Sequence, residues 1–222
     1  MADYLKLFEN DNDRTIYEGS NDYIEPYVSY VEGDNSVHYN KPPFFCKLTL
    51  SDDSVVEIEG SGEFTYSMRT GYNPTNVEFG ALCTSIGNGA LGGCTNLTSV
   101  TIPNSVTTIG SAAFQGCSDL TSVVIPNSVT SIDSYVFSGC LSLTSITIGS
   151  GITSIGSQNF QGCSLLTTII SHIMIAPSVD DGTFYGVGNA GTLYVPQGSS
   201  GYETWMNDRG NLGLNNWTKV EQ

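Results

Sequence analysis

Cys94, Cys117, Cys140 and Cys163 stand 23 residues apart, and the text between them keeps step. "SVTIPNSVTTIGSAAFQGC" (99–117) is followed by "SVVIPNSVTSIDSYVFSGC" (122–140) and then by "SITIGSGITSIGSQNFQGC" (145–163). Apolar columns run through the copies: Leu97, Leu120, Leu143 and Leu166; Val100, Val123, Ile146 and Ile169; Phe114, Phe137 and Phe160. A unit this short cannot bury its own apolar side. A stack of such units can, because each apolar position lands over its equivalent in the next coil. The period therefore predicts a mainly β solenoid of 23-residue coils.

Within one unit, "LTSVTI" reads as a short strand with Leu97, Val100 and Ile102 inward and Ser99 and Thr101 outward. "IPNS" and "GITSIGS" read as corners, where Pro and Gly stop the strand and redirect it. The Phe before each "QG" or "SG" plugs the coil from the far side. One period back, Val77 and Phe79 align with Val100 and Ile102, and Cys83, Ile86 and Leu91 with Val106, Ile109 and Phe114. The array is expected over 77–196, with the match breaking after Ile169 and "LYVP" (193–196) as its final strand. An open stack needs caps. Residues 44–76 supply one as a β-hairpin, "KLTL" and "VVEIEG" joined by "SDDS"; 197–222 supply the other with Tyr202, Trp205 and Trp217. Residues 1–43 are acidic and tyrosine-rich and read as a docking arm.

The consensus "CxxLTSVxIPNSVTxIxxxxFxGC" resembles the BspA-type leucine-rich repeats, a 23-residue class found in bacterial surface proteins. "GTLYVPQGSSGYETW" (191–205) resembles the segment that closes such arrays in Bacteroidetes proteins, and "YVSYVEGDNSVHYN" (27–40) resembles segments upstream of them in gut Bacteroidetes and their phages. The resemblance implies a leucine-rich-repeat solenoid that binds a ligand across the outward strand face.

Composition narrows the partner. Net charge is −15, from 22 Asp and Glu against 7 Lys and Arg, which opposes nucleic acid and anionic lipid. From Cys94 to Pro177 the only charges are Asp119 and Asp133, so Ser, Thr, Asn and Gly make the surface. No run of apolar residues suits a membrane span, and the first residues lack the pattern of a secretory signal. Those readings predict no membrane insertion and a protein of the cytoplasm or of a phage virion, or of the cell surface if a native signal was removed. Oligomeric state is not legible.

The six cysteines read as free, buried thiols acting as small hydrophobes. In-register neighbours keep parallel Cβ vectors near the strand spacing, wider than a disulfide prefers. No Cys pair has zinc spacing, so no metal is expected. His38 and His172 adjoin no nucleophile motif, which leaves an enzymatic reading without a candidate. "DNDRTIYEG" (11–19) lacks the central glycine and the closing glutamate of an EF-hand and reads as a solvated turn, as does Asp180–Asp181. No phosphate-binding loop occurs, and no cofactor is expected.

The candidate ligand face is the set of outward strand positions: Thr98, Ser99 and Thr101; Thr121, Ser122 and Val124; Thr144, Ser145 and Thr147. Against that reading, Ser and Thr are also good β-surface residues that make cross-strand hydrogen bonds. The functional expectation is a non-enzymatic binding or adhesion module recognising a cell-surface protein or glycan, with a tail or head-fibre component of a virion as one setting. The alternatives are a structural spacer anchored by residues 1–43 and, last, an enzyme.

Overall fold

The computed structural model describes residues 28–30, 37–39, 45–179, 182–188, 190–206, 214 and 216–222. The calcium-loop segment 11–19 and Asp180–Asp181 lie outside the described residues, as does most of the expected docking arm. The chain divides into two compact units, Met1–Pro43 and Phe44–Gln222. In the first, β1 (Val28–Tyr30) pairs antiparallel with β2 (Val37–Tyr39), placing Ser29 opposite His38.

The second unit is the solenoid. Each coil contributes one strand to a main sheet and a shorter one to a second sheet. In the main sheet β6 (Asn76–Phe79) pairs in parallel with β8 (Ser99–Thr101). The strand ladder is interrupted after β8, where the Thr121 amide still donates to Thr98 O at 3.3 Å, and resumes on the same side of the coils as a parallel run of β10 (Ser122–Ile125), β12 (Ser145–Ile148) and β14 (Thr168–Ser171). Register across these three strands is one period: Val123 faces Ile146, which faces Ile169. The second sheet stacks β7 (Cys83–Ile86), β9 (Thr108–Ile109), β11 (Ser131–Ile132) and β13 (Ser154–Ile155), all parallel. Alternation explains the register. A one-residue slip would turn Ile132 out and Ser131 in, so burial fixes the pairing.

The third side of each coil is a turn that carries the phenylalanine. Phe114, Phe137, Phe160 and Phe184 are all buried and stack nearly parallel, with ring centroids 5.4, 5.9 and 5.5 Å apart. Each turn then closes on a glycine such as Gly139, whose φ of 75° lies in the left-handed region that other residues enter at a cost. The match changes after Ile169: the next coil is 24 residues long, since Phe160 is followed by Phe184 and Ile169 pairs with Leu193, and among the described residues it adds no strand to the second sheet beyond β13. The extra residue falls in "SHIMIAPSVDDG", which hides the period.

At the N-terminal end β3 (Cys46–Thr49) and β4 (Val55–Ile58) form the expected hairpin, and β3 lies antiparallel to β6. The chain then supplies β5 (Gly62–Phe64), which joins the second sheet in parallel with β7, so a strand of that sheet precedes residue 77. At the other end β15 (Thr192–Val195) is not the final strand. β16 (Thr218–Glu221) pairs with it in parallel, after the short helix α1 (Glu203–Met206). The sequence hides β16 because it sits 26 residues after β15 and lacks the repeat signature; Lys219 and Glu221 take the register positions opposite Leu193 and Val195, and their side chains form an ion pair of 3.3 Å. Tyr202, Trp205 and Trp217 are buried, and Trp205 packs on Phe184 at 5.7 Å, closing the stack as expected.

Candidate functional face

The outward positions of the main sheet divide into three rows with different chemistry. The first row precedes the strands. Thr98, Thr121 and Thr144 are exposed, but each hydroxyl donates to the carbonyl one coil back: Thr98 to Thr75 at 2.9 Å, Thr121 to Thr98 at 3.3 Å, Thr144 to Thr121 at 3.1 Å. Thr167 extends the row to Thr144. Thr107, Thr130 and Thr153 repeat the device beside the second sheet. Each of these hydroxyls doubles a backbone ladder bond and has its proton committed.

The second row is Ser99, Ser122 and Ser145, continued by Thr168, Thr192 and Thr218. Ser99 is held through Asn76 Oδ1 at 2.6 Å. The third row is where the face becomes apolar. Thr101 is exposed at one end. In the continuous sheet, Val124 faces Thr147, Thr147 faces Ile170, Ile170 faces Tyr194, and Tyr194 faces Val220. Val124 is 62% exposed, and the other four are half-buried. Sequence reasoning missed Ile170, Tyr194 and Val220, because they follow the last copy with a clear signature. Ile170 lies at the ordinary count of 23 from Thr147, whereas Tyr194 follows Ile170 by 24 and Val220 follows Tyr194 by 26.

The buried polar chemistry is structural. All six cysteines are free and buried. Cys117, Cys140 and Cys163 donate their thiols to the carbonyls of Leu91, Phe114 and Phe137 at 3.2, 3.3 and 3.1 Å. Burial pushes the Cys83 thiol up to about 11 and Cys163 up to about 12, and raises Cys46, Cys117 and Cys140 further. They are protonated at neutral pH, which withholds the thiolate that nucleophiles and metal ligands need. Among the described residues no three His, Cys, Asp or Glu side chains converge on a point. His172 is exposed on the segment after β14. Among the described residues no helix is long and apolar enough to cross a membrane.

Arg69 is the buried charge that sequence reasoning passed over. It sits on a 3-10 turn, Tyr66–Arg69, with Nε donating to Ala90 O at 2.9 Å, Nη1 to Tyr72 O at 3.3 Å and Nη2 to Gly92 O. One period on, the equivalent carbonyls of Ala113 and Gln115 accept the amides of Leu91 and Gly93. The guanidinium thus substitutes for a missing coil.

These repeats match the BspA type leucine rich repeat region in six copies over residues 66–199. The chain belongs to the BspA-type leucine-rich repeat family. Arrays of this family are in general non-enzymatic binding modules that mediate protein binding. Among solved structures, the chain is similar to a leucine rich cell surface protein from Faecalibacterium prausnitzii, at 23% identity and a TM-score of 0.51. That match covers 99% of this chain and 53% of the other, so the chain spans about half the length of that relative. It is also similar to the T. pallidum leucine rich repeat protein (17% identity, TM-score 0.41, 72% of this chain and 87% of the other). A third is a leucine-rich repeat protein from Bacteroides ovatus (25%, TM-score 0.38, 71% and 49%). No curated protein matches.

Proposed function

We propose that this BspA-type chain is an adhesion module that recognises a cell-surface protein through the outward face of its main sheet. The observation that carries the reading is the row Val124–Thr147–Ile170–Tyr194–Val220, a line of partly exposed, mostly apolar side chains across five parallel strands. A rigid sheet presents it at low entropic cost, and its tyrosine is the type of residue that anchors interfaces. The flanking hydroxyl row supplies a polar margin without charge. Placement at a cell surface is supported by the likeness to the Faecalibacterium leucine rich cell surface protein.

The test is saturable binding of the fluorescently labelled chain to intact Bacteroidetes cells, before and after protease or periodate treatment. Protease-sensitive binding that falls at least tenfold in Val124→Asp and Tyr194→Ser supports the reading. Protease-resistant, periodate-sensitive binding moves the ligand to a glycan. Absence of binding across a broad strain panel leaves the spacer role and overturns the adhesion module.

A further inference from the structure

The turn side of the solenoid, away from the main sheet, repeats an uncommon backbone feature. Ala112, Tyr135 and Gln158 occupy the same place in successive coils, and all three have positive φ: 57°, 64° and 57°. One coil earlier the place is Gly89, φ 60°, the residue that fits this conformation without strain. A bulky side chain in the left-handed region is a true outlier, and such outliers concentrate where a side chain is kept for a purpose. Packing does not account for Tyr135, because its side chain is exposed rather than in the core.

What surrounds Tyr135 supplies the purpose. The next coil places Gln158 beside it, and Gln158 Nε2 donates to Gln161 Oε1 at 3.0 Å. The coil after that places Tyr185, 52% exposed, beside Gln161. The backbone ladder fixes this order: the Phe137 amide donates to Asn159 O, the Phe160 amide to Thr183 O, and the Gly162 amide to Tyr185 O. Two tyrosines two coils apart therefore bracket a pair of mutually oriented amides. The phenylalanine rings of the same coils are spaced 5.9 and 5.5 Å. Gly182 keeps the surface open, since a Cβ there would stand 2.8 Å from Gln158 Cγ. The Gln158–Gln161 bond leaves the side-chain oxygen of Gln158 and the side-chain amino group of Gln161 to face outward partners.

We infer that Tyr135, Gln158, Gln161 and Tyr185 form a second, shallow binding site whose ligand is a neutral carbohydrate chain. Tyrosine faces take the apolar C–H side of a sugar ring, and their hydroxyls stay wet. Primary amides offer both donors and acceptors, as a vicinal pair of sugar hydroxyls requires. The repeat stretch has no Lys or Arg between Cys94 and Pro177, so nothing there recognises an anion. An extended chain of sugars suits two stacking points separated by a polar stretch better than a single ring does. The site is distinct from the sheet face and does not depend on it.

The test uses the full chain on a printed array of neutral oligosaccharides of two to six units (glucan, xylan, mannan and galactan fragments), with sialylated sugars as the anionic comparison. Calorimetry follows on any hit. The expected result is binding to at least one neutral series and to no sialylated sugar through charge. Tyr135→Gly and Tyr185→Ala each weaken it tenfold or more, while Val124→Asp leaves it unchanged. Tyr135→Gly is the decisive variant, because glycine relieves the left-handed strain: its melting temperature stays level or rises while sugar binding is lost. No binding by the parent chain overturns the inference, and so does binding that survives both tyrosine substitutions.

Discussion

Arg69 Nε donates to the carbonyl oxygen of Ala90 at 2.9 Å, in the place that a backbone amide of a preceding coil would fill. A stack built by repetition has to end, and its first coil presents carbonyls with no donors above them. One planar side chain with several donors in a fixed fork meets two of these at once, Ala90 and Gly92. Tyr66 shields the charge, with its ring centroid 4.7 Å from the guanidinium carbon.

Arg69→Met is expected to cost about 2–4 kcal/mol in urea unfolding, because it leaves buried carbonyls unsatisfied. Arg69→Lys should recover less than half of that, since a single ammonium cannot span both acceptors in the same geometry. A loss under about 0.5 kcal/mol for Arg69→Met would show that the coil end is satisfied in another way.

The phenylalanine column should behave as a chain of nearest neighbours. Phe137 and Phe160 are fully buried with stacked partners on both sides. Each Phe→Ala change is expected to cost about 3–5 kcal/mol. The double variant Phe137→Ala/Phe160→Ala should depart from additivity by about 0.5 kcal/mol or more, because the two rings touch. Strict additivity in denaturant titrations would refute coupling through the stack.

Gly149 stands where Pro103 and Pro126 stand in earlier coils, and a Cβ on it would lie 2.5 Å from both the carbonyl carbon and oxygen of Pro126. Backbone cannot yield as a flexible side chain does, so Gly149→Ala should destabilise by about 1–3 kcal/mol. An unchanged melting curve would mean that the corner between these coils is looser than its geometry indicates.

The thiols set an alkaline limit. An ordinary thiol has a pKa near 9.0, whereas folded Cys83 holds its proton to about 11 and Cys163 to about 12. Above pH 9 the unfolded chain binds fewer protons than the folded one, so stability falls as pH rises through that window. The urea midpoint should be level from pH 7 to about 8.5 and then decline. Cys83→Val, which installs the residue type of Val106, should fold and make the decline shallower. Ellman's reagent should find no reactive thiol in the native chain at neutral pH and six after denaturation.

The three rows of the outward face make separable predictions. Thr121→Val keeps the backbone ladder bond but removes the hydroxyl bond that doubles it at Thr98 O, and should cost about 0.5–1.5 kcal/mol without touching partner binding. Val124→Asp should do the reverse, leaving stability within about 0.5 kcal/mol while disrupting binding. If Thr121→Val alone abolished binding, the first row would be contact surface after all.

The architecture is legible in the chain's text, because stacking is a property of the period. Once Cys94, Leu97, Val100 and Phe114 recur at a fixed interval, only parallel, in-register coils bury them, and the hairpin turn at 51–54 and the aromatic closure at Trp205 are local signals of equal clarity. Folding alone sets the features that depend on the neighbouring coil rather than on the residue. Thr98 and Ser122 look alike in the text, yet the first is tied to a carbonyl one coil back and the second lies in an open row. Phe184, Tyr194 and Val220 belong to columns the text loses, because one added residue shifts the count for the first two and three shift it for Val220, while strand pairing keeps them in line. Arg69 reads as an ordinary surface charge until the coil end beneath it exists. Hydrogen-bond partners in a solenoid lie about one period away along the chain but one strand spacing away in space, and that second distance exists only after folding.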